Sequence, residues 1–441
     1  MDSTNEDYIH FFRQSSPYIH AHRGITFVIM LPGESLDSDH FSHIVSDIAL
    51  LNSLGIRLVL IHGARSQIDE RLIARKIKTA FCQGYRITDR ESLTSVIDAV
   101  ASQRVKLEGQ LSMGLINSPM HSAQVRVISG NFVTARPIGV INGTDFQHTG
   151  EVRRIDRTAI NKLLDDGYLV LLSCLGYSPT GEVFNLLAED VATHTAISLE
   201  AGKLIMLASD IGLKNDNGEL IRTMRPSEVR SLLHKRHDEC SAEELRLMKA
   251  SLKAYDGGIL RIHIISHTLD GTLLQELFTR QGCGTLITQD MNAFEQLRPG
   301  TLDDIGGILN LIEPLEETGV LLRRSRGQLE QNINTFKVIV RDGMIIGCAS
   351  LHPYQKERCA ELACFVVHPD YRGGNRGNLL LEHIEQEALR QGLKTLFVLT
   401  TRTAHWFVER GFSTEEIVNL PEEKQLVYNR PRNSKMFLKV L

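Results

Sequence analysis

The sequence lacks the features of several large classes of protein. Over 441 residues, 49 Lys and Arg oppose 53 Asp and Glu, so the cationic excess that neutralises nucleic-acid phosphates is missing. No apolar run approaches the ~18 residues that span a bilayer. The N-terminal string MDSTNEDYIHFFRQ has neither the basic nor the apolar region of a signal peptide. These absences predict a cytoplasmic protein with no nucleic-acid or membrane partner.

Patterned cysteines and internal repeats are also missing. Seven cysteines are scattered along the chain without a CxxC pair, so we expect reduced thiols, no disulfide framework and no metal site. No repeat of 20–50 residues and no low-complexity tract occurs. What remains is an ordinary globular composition, 42% hydrophobic and 23% charged, with a length that predicts two or three domains.

The first part of the chain alternates strand and helix patterns. The run ITFVIML (25–31) precedes a helical stripe at 39–54, and IRLVLI (56–61) precedes a second helical pattern. This order predicts an α/β domain with a parallel sheet and helices on its faces. Further strands are predicted at 125–129, 168–173, 203–208 and 259–265, and further helices at 92–115, 156–165 and 187–200.

The second part of the chain has a different pattern. The polar passage QDMNAFEQLRPG predicts a linker at 289–298 between a first domain at 1–288 and a second at 299–441. The runs FKVIVR (336–341) and MIIGCASL (344–351) flank an Asp-Gly pair, which predicts a hairpin. With strands at 360–367, 394–400 and 435–440, the second domain is predicted to be α+β with a mostly antiparallel sheet.

A glycine-rich loop in the second domain carries most of the chemistry. In ELACFVVHPDYRGGNRGNLLLEHIEQEALRQG (361–392), a strand runs into a loop with three glycines, and a helix is predicted at 378–391. Such a loop presents free backbone N–H groups and the positive end of the helix dipole to a pyrophosphate. The alternative is a tight strand-to-helix turn that binds nothing.

The loop, the preceding hairpin and AHWFVERGF (404–412) together resemble the GNAT acetyltransferase superfamily. Its loop pattern is Q/R-x-x-G-x-G/A, and Arg372, Asn375 and Gly377 occupy the three places. The middle glycine is therefore replaced by Asn, which tolerates left-handed conformations better than most residues. The resemblance implies acetyl-CoA as co-substrate, bound by Cys364, Phe365, Val366, Arg372, Gly373, Gly374, Asn375, Arg376 and Gly377.

A closer resemblance extends over nearly the whole chain. The strings LFVLTTRTAHWFVERGF, LPEEKQLVYN and RNSK, with PYIHAHRGITFVIM, HGARSQID and SGNFVTARPIGV in the first domain, resemble the bacterial N-acetylglutamate synthase family. The resemblance implies an amino-acid-kinase-like parallel-sheet sandwich followed by a GNAT domain. It further implies acetyl transfer to the α-amine of L-glutamate, the first step of arginine biosynthesis, with L-arginine as inhibitor and a homo-oligomer, a hexamer.

The first domain departs from the related kinases where they transfer phosphate. Their first strand ends in Lys-x-Gly-Gly, whereas this chain has Met30, Leu31 and Pro32 there. Because phosphoryl transfer depends on positioning and charge stabilisation, the domain is expected to be kinase-inactive. By resemblance it senses arginine, through Tyr18, His263, Glu276 and Gly282. The alternatives are a domain that only scaffolds, and a Glu276 that is a solvated acid on a helix face.

The catalytic residues follow from the same resemblance. Glu361 matches the general base that frees the amine, although an edge-strand Glu facing water would look the same in sequence. Thr400 matches a hydroxyl near the leaving thiolate, or is a plain β-branched strand residue. Cations are needed for the two carboxylates of glutamate; the matched residues are Arg323, for which Arg324 could substitute, and Arg432 with Ser434.

A rival interpretation belongs to a different functional class. The chain could be an amino-acid-sensing regulator whose GNAT domain only binds CoA or acetylates another amine. Glu361 together with Arg432 favours the glutamate acetyltransferase, because a free amine and a dicarboxylate need a base and cations respectively.

Overall fold

The computed structural model describes residues 3–112, 125–236, 239–279, 282–289, 295–341, 344–372 and 375–441. The chain divides into two compact units, Met1–Asp290 and Met291–Leu441. Within the described residues, no helix combines the length and apolar character that a bilayer crossing requires.

The first unit alternates strands and helices along most of its length. Its helices are α1 (Ser3–His22), α2 (Phe41–Ser53), α3 (Arg65–Ala74), α4 (Arg90–Ser112), α5 (Arg157–Asp165), α6 (Ala188–Leu199), α7 (Pro226–Lys235), α8 (Ala242–Asp256) and α9 (Thr272–Phe278). Its strands are β1 (Thr26–Leu31), β2 (Arg57–His62), β3 (Ala80–Cys82), β4 (Tyr85–Ile87), β5 (Val127–Ser129), β6 (Val133–Pro137), β7 (Val140–Ile141), β8 (Thr144–Asp145), β9 (Gly150–Ile155), β10 (Leu169–Ser173), β11 (Leu175–Tyr177), β12 (Val183–Asn185), β13 (Lys203–Ala208), β14 (Thr223–Met224), β15 (Ile262–Ser266) and β16 (Thr285–Ile287).

The main sheet of the first unit is parallel at its centre, as the sequence predicts. Its order is β14-β16-β15-β13-β1-β2-β10-β5, and the β15–β16 pair is antiparallel. Every residue of β1 is buried because alternate side chains enter cores on opposite faces: Val28 and Met30 on one, Phe27, Ile29 and Leu31 on the other. This two-sided burial explains the continuous apolar runs in the sequence.

A smaller sheet and several short elements of the first unit have no counterpart in the sequence prediction. The sheet has the order β12-β11-β6-β9. Its strands contain few consecutive apolar residues, as ARP (135–137) and VRRI (152–155) illustrate, so the pattern that predicted the main sheet is absent from them. Helices α7 and α8 also have no counterpart in the prediction.

The second unit is built on one sheet. Its strands are β17 (Glu295–Pro299), β18 (Phe336–Arg341), β19 (Met344–Tyr354), β20 (Cys359–Val367), β21 (Thr395–Thr400), β22 (Ser413–Glu415) and β23 (Lys435–Val440). Its helices are α10 (Ile305–Glu317), α11 (Arg326–Asn332), α12 (Arg376–Arg390), α13 (Ala404–Val408) and α14 (Glu422–Leu426).

The sheet order in the second unit is β17-β18-β19-β20-β21-β23-β22. The β20–β21 pair is parallel and the other neighbours are antiparallel, as predicted. The Asp-Gly pair of the predicted hairpin lies outside the described residues, but the strands on either side of it pair antiparallel.

The predicted linker needs one correction. Residues 295–298 belong to β17, which pairs with β18 from Glu295↔Arg341 to Pro299↔Lys337. The polar segment therefore becomes an edge strand of the second unit, where one row of side chains is only partly covered. A polar sequence is typical of an exposed edge strand as well as of a linker, and periodicity alone could not separate the two.

Candidate active site

The site begins where two parallel strands part. β20 pairs with β21 over four residues, from Cys359↔Thr395 to Leu362↔Val398, and the pairing stops there although both strands continue. On its other side β20 carries a bulge against β19, with Cys364 and Phe365 opposite Ala349. Cys364 has a φ of 49°. The strand therefore leaves its regular ladder at two of the residues that the family resemblance assigns to acetyl-CoA binding.

The gap between the strands opens into a cavity of about 670 Å³. It collects predicted residues from four separate stretches of sequence. The predicted residues that line it are Glu361, Cys364, Phe365, Val366, Arg372, Asn375, Arg376, Gly377, Thr400, Arg432 and Ser434. Gly373 and Gly374 lie outside the described residues. The structure thus brings the predicted base, loop and carboxylate ligands to one place, while their individual roles stay predictions.

The loop residue that departs from the superfamily pattern has the backbone conformation of a glycine. Asn375 has φ 60° and ψ 4° and forms the N-cap of α12, so Asn is tolerated in the left-handed region here. Gly377 is required by packing, because a Cβ on it would lie 2.9 Å from Cζ2 of Trp406. The side chain of Arg376 donates from Nε to both carboxylate oxygens of Glu295 at 2.8 Å and so ties the loop to β17.

The predicted base, Glu361, is buried rather than solvated. Its residue is 8% exposed, and its Oε2 lies 2.7 Å from Nζ of Lys424 on α14. His352 faces it across the β19–β20 pair. Burial lowers the pKa of His352, so this imidazole is neutral near pH 7. The ammonium of Lys424 is therefore the charged group that balances Glu361.

Two arginines supply cations to the same cavity. Arg432 donates from Nη2 to the carbonyl of Val320, and its buried Nε has no hydrogen-bond partner among the described residues. Burial, followed by the charge of Arg324, lowers the pKa of Arg432. Arg324 donates from Nη1 to Sγ of Cys364 at 2.7 Å. Both guanidinium groups keep donors that could bind a carboxylate.

One predicted carboxylate ligand is not among the residues that line the cavity. Arg323 is exposed and does not line the cavity, whereas its neighbour Arg324 does. The two are adjacent in an irregular segment between α10 and α11, where no periodicity indicates which side chain faces inward. Arg324, the alternative that the sequence left open, takes the place.

The remaining predicted residues of the cavity, Thr400, Ser434 and Cys364, also contact other residues of the protein. Oγ1 of Thr400 lies 2.8 Å from Oγ1 of Thr403 and accepts the N–H of Thr403 at 3.1 Å, so this hydroxyl also shapes the turn into α13. Ser434 is buried, and its carbonyl accepts from Oη of Tyr428 at 2.8 Å. Burial raises the pKa of the Cys364 thiol to about 11, which leaves it protonated and a poor nucleophile.

The predicted effector residues cluster in the first unit. Glu276 on α9 is 8% exposed, so the alternative of a solvated helix-face acid is wrong. Its Oε1 accepts from Nδ1 of His263 at 2.7 Å, and its Oε2 accepts the N–H groups of Cys283 and Gly284 at 2.7 and 3.0 Å. Gly282 has φ 61°, and a Cβ there would collide with Oε2 of Glu276.

The charges of this cluster are set by its hydrogen bonds. Burial opposes ionisation of Glu276, but the hydrogen bond and charge of His263, with the two N–H groups, hold its pKa at about 2. Burial and the charge of Lys203 lower the pKa of His263. Nε2 of His263 is buried and has no partner among the described residues.

Tyr18 lies on α1, which packs on α9. One turn after Tyr18, His22 places Nε2 2.9 Å from the carbonyl of Leu277 on α9, and Tyr18 packs against the same apolar cluster as Leu277. The four predicted effector residues are therefore neighbours of one helix-to-helix contact.

The first unit has its own small cavity at the carboxyl ends of β1 and β2. Its volume is about 160 Å³, and Met30 and Pro32 are among its lining residues. Leu31 is fully buried in the opposite core. Glu189, which also lines the cavity, accepts from Nε of Arg246 at 2.7 Å, with both side chains less than one-fifth exposed. No lysine is among the described residues that line this cavity.

Comparisons with known proteins match both units. Residues 26–266 match the amino acid kinase family and residues 308–412 match the GNAT acetyltransferase family. An amino-acid acetyltransferase of Pseudomonas fluorescens is 53% identical over 99% of this chain and all of its own length. The chain belongs to the amino-acid acetyltransferase family. It is therefore an acyltransferase with acetyl-CoA as co-substrate, and the resemblance inferred from the sequence is confirmed.

Solved structures of N-acetylglutamate synthase from Neisseria gonorrhoeae are also similar to this amino-acid acetyltransferase. One, complexed with coenzyme A and L-arginine, is 38% identical with a TM-score of 0.84. Another, complexed with coenzyme A and N-acetyl-glutamate, is 39% identical with a TM-score of 0.61. Each match covers 98% of this chain and 99% of the Neisseria chain.

Sequence reasoning missed several residues of the acetyltransferase cavity. Lys424, Trp406 and Arg410 line it, and the guanidinium of Arg410 stacks 3.8 Å from the Trp406 ring centroid. Lys424 and Trp406 lay inside strings that carried the resemblance, but no pattern in the sequence indicated that they face the site. Such contacts depend on how α13 and α14 pack against the sheet, which local periodicity does not encode.

Proposed function

We propose that this acetyltransferase transfers the acetyl group of acetyl-CoA to the α-amine of L-glutamate, giving N-acetyl-L-glutamate and CoA. The observation that carries the proposal is the set of charged residues that line the larger cavity: one buried carboxylate, Glu361, among several cations that include Arg324 and Arg432. These charges complement L-glutamate, which has one ammonium and two carboxylates. The Neisseria structure with coenzyme A and N-acetyl-glutamate supports the same assignment.

Glu361 acts as the general base. An α-ammonium that titrates at about 8 or above must lose a proton before it can attack a thioester. Oε1 of Glu361 accepts no hydrogen bond from the described residues, and the residue lines the cavity. The carboxylate takes the proton, and the freed lone pair attacks the thioester carbonyl carbon.

The β20 bulge stabilises the charge that develops on the carbonyl oxygen. The N–H groups of Cys364 and Phe365 lie where the strand has left its regular ladder, and we assign them as the donors to the oxyanion. The new C–N bond forms, and the C–S bond breaks with its electron pair leaving on the CoA sulfur. The second proton of the attacking amine passes to that thiolate, so that the products are the amide and the CoA thiol. The hydroxyl of Thr400, at the cavity wall, is the donor that the family resemblance assigns to that thiolate.

We further propose that L-arginine inhibits by binding near Glu276 in the first unit. The ligand would add a cationic group to a site with an ionised carboxylate and a buried imidazole acceptor, Nε2 of His263. Tyr18 and Gly282 complete the predicted set. The Neisseria structure complexed with L-arginine supports this assignment. A homohexamer in the cytosol follows from the family resemblance.

Thiol release from acetyl-CoA tests the reaction. We expect rapid release on addition of L-glutamate, and at least 100-fold slower release with L-aspartate or a lysine peptide, with the glutamate reaction suppressed by L-arginine. The product is checked by mass as N-acetyl-L-glutamate. Faster turnover of another amine would overturn the substrate assignment, and activity unaffected by arginine would overturn the effector assignment.

A further inference from the structure

Lys424 is the only ion-pair partner of Glu361 among the described residues. Its Nζ lies 2.7 Å from Oε2, and the two side chains are only 16% and 10% exposed. The flanking residues of α14, Glu423 and Gln425, are exposed. The short helix therefore presents one inward cation to the carboxylate proposed as the base.

A largely buried ion pair of this kind contributes little to the stability of the fold. Removing both charges from water offsets much of their attraction, so the pair is weak evidence for a purely structural role. It does fix the carboxylate, however: with Oε2 held by Lys424, Oε1 is left without a hydrogen bond from the described residues. The oxygen that is left is the one that can receive a proton from a substrate.

The chemistry of an α-amino acid suggests a second use for the same ammonium. The α-carboxylate is attached to the carbon that carries the amine, so a substrate amine at Oε1 of Glu361 brings its α-carboxylate beside the group that holds Oε2. The γ-carboxylate is two carbons farther away. Arg324 and Arg432, with planar guanidinium donors still open, suit that more distant carboxylate.

We propose that Lys424 is a positioning and specificity-determining residue, which holds Glu361 through Oε2 and binds the α-carboxylate of the substrate. The proposal rests on the proposed function, because it takes Glu361 as the base. It adds that the enzyme selects amino acids with a free α-carboxylate through Lys424 and reads the γ-carboxylate through the arginines.

The test compares three substrates with two enzymes. L-Glutamate, its α-amide and its γ-amide (L-glutamine) are assayed with wild type and with Lys424→Met, which keeps the length of the side chain and removes its charge. Lys424→Met is expected to lower kcat/KM for L-glutamate and L-glutamine by about 10–100-fold, the worth of one charge-assisted contact. The α-amide should lose at least fivefold less, because it has no α-carboxylate to lose. Differences in intrinsic reactivity cancel because each substrate is compared with itself.

Controls separate a specific role from a folding defect. Lys356→Met alters an exposed lysine in the β19–β20 turn and should leave all three substrates unchanged. Lys424→Arg keeps the charge and should restore part of the loss in KM for L-glutamate. Lys424→Met should bind CoA as wild type does, although its melting temperature should fall because Glu361 loses its counter-charge.

Two results would overturn the proposal. Equal losses of kcat/KM for all three substrates would show that Lys424 does not bind the α-carboxylate. An unchanged kcat/KM for L-glutamate would show that Lys424 neither positions Glu361 nor binds the substrate. Failure of the proposed function has a different signature: wild type would then prefer another amino acid, and the Lys424 comparison is made with that amino acid and its own α-amide.

Discussion

Glu361 and Glu276 are buried to the same extent, at 8% exposure, in different units of the chain. Their surroundings differ sharply. Glu276 has both oxygens occupied, by His263 and by two backbone N–H groups, whereas Glu361 contacts one lysine and borders a cavity of about 670 Å³. A carboxylate oxygen without a hydrogen bond can take a proton from a ligand, whereas a carboxylate with three donors also holds its neighbours in place.

The comparison changes what a substitution is expected to do. Removing Glu361 should mainly affect chemistry, because few groups depend on it. Removing Glu276 should first lower the stability of the fold, because three donors lose their acceptor. Any change in arginine inhibition would be additional to that loss of stability.

Glu361→Gln should produce the largest effect on turnover. The amide keeps the shape of the side chain but cannot take the proton, so kcat should fall by about 100-fold or more at neutral pH. The melting temperature and the KM for acetyl-CoA should change little. Glu357→Gln, at an exposed turn position, is the matched control and should retain full activity. Turnover close to wild type in Glu361→Gln would assign the base to another group.

Substitution of Glu276 should separate structure from arginine binding. Glu276→Ala leaves the N–H groups of Cys283 and Gly284 and the ring of His263 without their acceptor, at a cost of about 3–5 kcal/mol in unfolding free energy. Glu276→Gln keeps one carbonyl acceptor and should be milder. If arginine's cation binds here, Glu276→Gln should raise the half-inhibitory arginine concentration about 10–100-fold, with uninhibited activity preserved. Equal arginine sensitivity in the variant and wild type would move the effector site.

The same carboxylate predicts a dependence of stability on pH. Because the folded pKa of Glu276, about 2, lies below its ordinary value of 4.5, its contribution is present above pH 4.5. It is lost progressively as pH falls from there towards 2. Unfolding experiments on wild type and Glu276→Gln should therefore differ most above pH 4.5 and converge in acid. A difference that persists at pH 2 would contradict an ionised Glu276.

Sequence reasoning predicted the parts of this molecule that local pattern determines. The continuous apolar runs gave β1, β2 and β10, and the Asp-Gly hairpin and the glycine-rich loop placed β18 to β20 and α12 within a few residues. Polar or short elements, such as β6 and β17, lack a periodic apolar face, so they were missed or assigned to a linker.

The residues of the candidate site fall into the same two groups, those that the sequence indicates and those that depend on packing. Resemblance located Glu361 and Arg432, both of which reach the cavity. The choice between Arg323 and Arg324, and the approach of Lys424, depend on packing of irregular segments and a five-residue helix. In such segments neighbouring side chains point in different directions, and no pattern in the sequence indicates which of them faces the cavity.

The smallest expected effect is none at all: ATP should support no phosphorylation of N-acetylglutamate. The first unit retains a cavity of about 160 Å³ where its parallel strands end, yet β1 contributes buried Met30 and Leu31 instead of an ammonium, and Glu189 is already neutralised by Arg246 at 2.7 Å. Phosphoryl transfer depends on cations that stabilise the charge spread over the transferring group. Incubation with labelled ATP and N-acetylglutamate should give no product above a blank, in enzyme that still acetylates. Transfer well above the blank that Glu189→Gln abolishes would show that this cleft, unlike the pocket around Glu361, had been misjudged.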